Sequence, residues 1–247
     1  MKPWATSTHE THHIKAVFFD VDFTLIYPGP KFQGEGYRQF CEKHGMAVDP
    51  ARFGEAVLSA SHILDQAQDN VYNHQIFIDY TAHIIERMGG RGPAVADCAA
   101  EIYQEWAVSR HFLMYEDVPA GLKALAERNL TIGLISNSHR CLESFQSHFE
   151  LEDLIDVAIS SSQHGYMKPH PSIFEAALTI GGVTAAQSVM VGDSLSQDIE
   201  GARRVGMRGV LVRRSDCVSP AESTEVPVIK SLRELPSLLD LSLVPEP

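Results

Sequence analysis

Basic residues are scarce in this chain: 20 Lys and Arg stand against 32 Asp and Glu, a formal net charge of −12 at pH 7. Such a field repels polyanions, so nucleic acid and anionic membrane surfaces are not expected partners. A small anionic substrate would need basic residues placed locally. Cysteine is sparse too. Cys41, Cys98, Cys141 and Cys217 are widely separated and form no Cys-x-x-Cys pair. That spacing excludes a zinc knuckle or dithiol redox motif and predicts four reduced, buried thiols in a cytoplasmic protein. No apolar stretch approaches the ~20 residues of a membrane span. The polar start from Ser7 to His13 lacks the hydrophobic region of a signal peptide. His9, His12 and His13 in it read as a frayed terminus rather than a metal site.

What the chain does have is core. Hydrophobic residues make up 44% of its 247 positions, enough for one large α/β domain or a core domain with a modest insert. The apolar run Ala16-Val17-Phe18-Phe19 ends in Asp20-Val21-Asp22-Phe23-Thr24-Leu25. A continuous apolar run is the signature of a parallel strand buried on both faces, and ligands of open α/β sheets bind beyond the carboxyl ends of such strands. Two carboxylates at that place point to phosphoryl or metal chemistry.

After the first strand, Tyr27-Pro28-Gly29-Pro30 predicts a hinge that continues neither strand nor helix. From Gly34 to about Arg110 apolar residues recur at helical spacing, as in Tyr37, Phe40, Cys41 and His44, or Ile76, Phe77, Tyr80, Ile84 and Met88. Breaks at Gly45 to Pro50, Asn70 to Asn73 and Gly89 to Pro93 divide this stretch into four amphipathic helices. Beyond Val118-Pro119 the pattern alternates. Helix-like segments (120–128, 140–149, 171–180, 199–205) separate apolar runs at 130–135, 156–159, 188–191 and 206–212, with a short strand and closing helix over 227–239 and a loose tail at Val244 to Pro247. Alternating strands and helices predict a parallel sheet with right-handed crossovers.

These strands end on polar residues suited to one reaction: Asp20, Asp22 and Thr24 after the first, Ser136-Asn137 after the second, Lys168-Pro169 beyond the third, and Gly192-Asp193 with Asp198 after the fourth. Together they resemble, in order, the four motifs of the haloacid dehalogenase superfamily, and the helical insert is similar to that family's C1-type cap. The resemblance implies a Rossmann-like, three-layer parallel-sheet core over residues 1–27 and 114–247, with a helical cap over 28–113. Asp-Val-Asp-Phe-Thr-Leu is most similar to its small-molecule phosphatases.

A carboxylate at a strand end can attack phosphorus in line and form an aspartyl-phosphate, which makes Asp20 the expected nucleophile. Asp22 can protonate the leaving oxygen and later accept a proton from water. The resemblance gives Asp22 the same role and places its main-chain carbonyl on the metal. Asp20, Asp22 and Asp193 would repel one another and a phosphate without a hard cation, so magnesium is the expected cofactor. Asp193 is its expected direct ligand, with Asp198 behind it, holding a metal-bound water or Lys168. Lys168 offsets the charge of nucleophile and phosphate, Ser136 and Asn137 bind phosphoryl oxygens, and Thr24 orients the loop after the nucleophile. The family usually has an acidic N-cap where His170 stands, so a weakened cap is expected there.

The expected function is a magnesium-dependent phosphatase acting on a small phosphorylated metabolite. The expected assembly is a monomer or weak homodimer. A phosphomutase or other phosphotransferase uses the same motifs. A metal-free 2-haloacid dehalogenase would lack the second aspartate, and a silent binding protein would be expected to have lost Asp20, Lys168 or Asp193. Hinges are expected at Tyr27 to Pro30 and Arg110 to Glu116.

Overall fold

The computed structural model describes residues 13–64, 70–214 and 226–241. His9, His12, Cys217 and the tail from Val244 lie outside these residues. Six strands form one parallel sheet: β1 (Ala16–Phe19), β4 (Thr131–Ser136), β5 (Val157–Ser160), β6 (Ser188–Gly192), β7 (Arg208–Val212) and β8 (Val228–Ile229), in the spatial order β5-β4-β1-β6-β7-β8. All four residues of β1 are buried, with Phe19 paired to Leu134 on one side and Val191 on the other.

Because successive side chains of a strand face opposite ways, β1 serves two cores. Val17 and Phe19 pack with α5 (Val118–Ala126), α6 (Leu142–His148) and α10 (Leu235–Leu241), through Leu122, Leu125, Phe145, Leu235 and Leu239. Ala16 and Phe18 pack with α8 (Pro171–Gly181) and α9 (Gly201–Arg204), through Ile173, Phe174, Ala177 and Ala202. Helices on both faces of a parallel sheet make the Rossmann-like three-layer core. The chain leaves edge strand β5 through α7 (Ser161–His164) and α8 and returns on the far side of β1 as β6. That reversal opens a crevice at the carboxyl ends of β4, β1 and β6, where a ligand fits.

Between β2 (Ile26–Pro28) and β3 (Phe112–Met114) lie four helices: α1 (Gly34–Lys43), α2 (Phe53–Leu64), α3 (His74–Met88) and α4 (Ala94–Trp106). Caps fit the sequence breaks. The Asn73 side chain accepts from the Gln75 N–H at the start of α3, and Gly89 ends it at φ 114°, a left-handed conformation that glycine adopts without steric cost. Their apolar faces, including Tyr37, Phe40, Ile84, Ile85 and Ile102, join the same buried cluster as Phe19 and Leu134.

Two expectations are corrected. The segment Tyr27 to Pro30 was expected to form no strand, yet Tyr27 and Pro28 belong to β2, which pairs antiparallel with β3, Ile26 opposite Met114. Pro28 is tolerated because it ends an edge strand, where a missing N–H costs no ladder bond. Gly29 continues the approach: its N–H donates to the His111 carbonyl at 2.9 Å, and a Cβ there would lie 2.6 Å from that oxygen. The two expected hinges are thus one ribbon. Second, Cys41 and Cys98 are buried but Cys141 is exposed, because it precedes α6 at the surface of a loop rather than lying on its packed face.

Phe18 packs across the sheet onto Gly133, its register partner, and a Cβ on Gly133 would fall 2.4 Å from the Phe18 ring. Gly133→Ala is therefore expected to destabilise the protein by about 1–3 kcal/mol through overpacking, with partial recovery on adding Phe18→Leu. Thermal unfolding of the two variants measures this, and an unchanged midpoint for Gly133→Ala would contradict it.

Candidate active site

Three strand ends and one loop converge in the crevice. Asp20 follows β1 directly, its N–H donating to the Val191 carbonyl at 2.9 Å, and it is buried. Asp193 follows β6. The π-helical turn Leu195–Glu200 then brings Asp198 back toward the strand end, where its Oδ2 accepts from the Ser194 N–H at 3.0 Å. Gly192 makes room for this return, since a Cβ there would lie 2.2 Å from Asp198 Oδ2. Carboxylate oxygens of Asp20, Asp193 and Asp198 lie within 4.8 Å of one another. Asp198 is thus part of the cluster itself, where the sequence had set it behind the ligands.

Lys168 enters from the loop before α8 and is buried, with Nζ 2.6 Å from Asp20 Oδ1 and 2.7 Å from Asp198 Oδ1. Both contacts are ion pairs, and Asp198 Oδ1 has no other partner among the described residues. Burial works against the Lys168 charge, but Asp198 and Asp20 outweigh it and hold its pKa above that of an ordinary lysine. The carboxylates share this ammonium unequally. Burial drives Asp20 well above the usual carboxylate range against the pull of Lys168, and Asp198 and Asp193 add to the rise. Burial, then Asp198, pushes Asp193 up to about 7. Three carboxylates and one ammonium leave the site short of positive charge, and an all-oxygen donor set of this kind suits a hard divalent cation.

Asn137 does something other than what its motif suggests. Its Oδ1 accepts from the Lys168 N–H at 2.7 Å and its Nδ2 donates to the Lys168 carbonyl at 3.0 Å, so the side chain clamps the main chain of the lysine. Nδ2 also reaches Gln197 Oε1 at 3.2 Å. Ser136 is buried, its hydroxyl 2.9 Å from that of Ser138. Thr24 is fully buried and its hydroxyl has no hydrogen-bond partner among the described residues. His170 overturns the expectation of a weakened cap: its Nδ1 accepts from the Ser172 N–H at 3.2 Å, so the imidazole caps α8 where the family usually has an acid.

The Asp22 side chain turns away from the cluster. Both its oxygens accept from Arg140, at 3.1 and 3.0 Å. Between Asp22 and Thr24, Phe23 holds a left-handed φ of 66°, a costly conformation for a bulky residue that swings the chain from β1 toward the ribbon.

Arg140, Gln197, Arg213 and Arg214 all contact this machinery, and the sequence did not single them out. Arg213 donates to the Asp193 carbonyl. Arg214 donates to Asp117 at 2.7 Å and to the Thr24 carbonyl at 2.6 Å, pinning the loop after Asp20 from outside. The usable signal was scarcity: in so acidic a chain, arginines just past the strand ends Ser136 and Val212 stand out.

Residues 14–206 match a family model described as haloacid dehalogenase-like hydrolase. The chain is 30% identical over 213 residues to bovine (Bos taurus) haloacid dehalogenase-like hydrolase domain-containing protein 3, covering 83% of this chain and 85% of that one. It is also 30% identical over 248 residues to human N-acylneuraminate-9-phosphatase, covering 92% and 94%. Among solved structures it superposes on a 2-haloacid dehalogenase from Pseudomonas syringae pv. Tomato DC3000 with a TM-score of 0.62 and 26% identity, covering 92% of this chain and 99% of that one.

The raised carboxyls of Asp20 and Asp193 fix a pH dependence. The folded state holds protons that the unfolded chain releases near pH 4, so their contribution to stability is complete below that; the Asp193 share is lost as pH rises through about 7, and the Asp20 share is lost in the same direction. In chelator, the melting temperature is expected to fall by several degrees from about pH 5 to about pH 8. Millimolar magnesium is expected to restore it mostly at the upper end. A chelated melting temperature that Asp193→Asn leaves equally pH-dependent would count against this account.

Proposed function

This chain belongs to the haloacid dehalogenase-like hydrolase family, and we propose that within it the protein is a magnesium-dependent phosphatase of small phosphate monoesters. The observation that carries this reading is Asp20, buried at a strand end with Lys168 at 2.6 Å and two further carboxylates beside it. The similarity to a human phosphatase supports it.

Asp20, Asp193 and Asp198 fit the ion by donor type and by their unbalanced charge, and the family resemblance adds the Asp22 main-chain carbonyl. When bound, magnesium supplies positive charge against the substrate phosphate and the carboxylates that meet it. Asp20 attacks phosphorus in line, and the bond from phosphorus to the ester oxygen breaks. Asp22 gives its proton to that oxygen, then takes one from the water that cleaves the aspartyl-phosphate. Lys168 holds the Asp20 carboxylate in place and meets the phosphoryl charge. The Ser136 hydroxyl donates to a phosphoryl oxygen, while Asn137 acts through Lys168 by fixing its main chain. The Thr24 hydroxyl, without a hydrogen-bond partner among the described residues, is a free donor in the loop after the nucleophile.

Dehalogenation is the weaker reading on this geometry. A halide leaves as a weakly basic anion and needs neither a proton donor nor a hard cation, whereas an alkoxide needs both. The substrate proposed is a small phosphorylated metabolite, with no nucleic acid or membrane partner, consistent with the net charge of −12. A monomer or weak dimer in the cytoplasm is the setting proposed. No helix among the described residues is long and apolar enough to cross a membrane.

Hydrolysis of p-nitrophenyl phosphate with and without magnesium tests the reading, followed by a panel of sugar phosphates that includes N-acylneuraminate 9-phosphate. Asp20→Asn is expected to lower kcat by about 1000-fold or more and to abolish trapping by beryllium fluoride. Equal rates in chelator, or retained turnover in Asp20→Asn, would remove the mechanism.

A further inference from the structure

Arg140 is among the largest fully buried side chains of the molecule, its side chain 1% exposed. Burying a guanidinium is costly unless its donors are matched; here Nη1 and Nη2 are spent on one partner above all, while Nε has none among the described residues. Nη1 donates to Asp22 Oδ2 at 3.1 Å and Nη2 to Asp22 Oδ1 at 3.0 Å, the two-pronged arrangement in which arginine fits a carboxylate. Nη2 also donates to the Trp106 carbonyl at 3.0 Å, at the end of cap helix α4. The guanidinium lies 4.4 Å from the centre of the Phe112 ring in β3. His139, the preceding residue, is pushed down to about 4 by burial and by Arg140 itself, so it stays neutral and leaves the guanidinium as the charge that Asp22 meets on this side.

From this geometry we propose that Arg140 is the positioning residue of the general acid, holding the Asp22 carboxyl toward the leaving oxygen from an anchor on the cap's exit. The assignment rests on the phosphatase reading above. In the first displacement Asp20 forms its bond to phosphorus and the phosphorus–ester oxygen bond breaks. The electron pair stays on the ester oxygen, and the Asp22 proton moves to it. Asp22 is left as a carboxylate, the form whose two oxygens both accept from Arg140. Each of those oxygens keeps a further lone pair, so the held carboxylate can take the proton of the attacking water in the second displacement. Lysine in this position keeps the charge but not the fork.

The leaving group makes the test selective. p-Nitrophenolate departs without a proton, whereas the alkoxide of benzyl phosphate needs one, and both esters carry one ring of similar size. The measurement is kcat/KM for the two esters in magnesium, because that parameter ends with release of the alcohol and does not report the second displacement. Arg140→Lys and Arg140→Ala are each expected to lower kcat/KM for benzyl phosphate about 100-fold while p-nitrophenyl phosphate changes by less than about threefold. Once Asp22 is replaced by asparagine, the further change Arg140→Lys should add no selectivity between the esters. An equal loss for both, or faster turnover of benzyl phosphate, would overturn the assignment. If Arg140→Ala fails to fold because Asp22 is stranded without its partner, Arg140→Lys alone and in the Asp22→Asn background decides the matter. Wild-type protein inert toward every ester would overturn the phosphatase reading instead, and this assignment with it.

Discussion

The ammonium of Lys168, buried within 2.7 Å of Asp20 and Asp198, is the charge on which the site depends. Placing a lysine inside a protein costs several kcal/mol unless anions meet it, and placing three carboxylates there costs more. Each makes the other tolerable, yet they do not balance. The upward shifts of Asp20 and Asp193 are the physical expression of that imbalance, and a divalent cation is the kind of group that would settle it. The surrounding structure serves to keep the lysine where it is. Asn137 clamps its main chain on both sides, and the helix behind it is capped by His170. Gly192 leaves the space into which Asp198 folds back.

The helical insert attaches beside the residues that build the site. Its two connections with the core pair as β2 and β3, and Tyr115 extends that ribbon by donating to the Leu25 carbonyl at 3.1 Å, one residue beyond Thr24. On the opposite side, the loop before α3 meets the loop before Lys168: the Tyr72 N–H donates to the Gly165 carbonyl at 2.9 Å and the Met167 N–H to the Asn70 carbonyl at 2.7 Å. The helical insert is thus tied to the loop after Asp20 at one end and to the Lys168 loop at the other.

Much of this was legible in the sequence. Strand positions followed from apolar runs such as Ala16 to Phe19, and the four cap helices from their 3.6-residue period, because burial writes both patterns directly. Asp20 and Asp193 were found because each follows an apolar run within two residues, and Lys168 because Lys168-Pro169 stands between the third run and the next helix, as the family resemblance expects. Other features escaped because their cause is long-range. Tyr27 and Pro28 read as a break, since pairing with a strand more than 80 positions later leaves no local signature. Asn137 was assigned to phosphate because its motif neighbours the nucleophile, whereas its partner is a main chain 31 residues away. Arg140 was passed over at the start of a helix-like segment, for nothing in a one-dimensional pattern tells a buried cation from a solvated one.

The shortage of basic residues reads differently once their positions are known. With 20 Lys and Arg against 32 Asp and Glu, the chain nonetheless places Lys168 and Arg140 where water is excluded. A cation at the surface is screened within about 10 Å at moderate salt, and one inside is not. An acidic exterior weakens the attraction of polyanions without weakening the grip of the interior on a single phosphate that has already entered. The two buried cations face different groups. Lys168 meets Asp20, the nucleophile of the proposed reaction, and Arg140 meets Asp22, its proposed acid. Their separation lets Asp20 be met by an ammonium while Asp22 is oriented from another direction, which a single shared cation could not do for both.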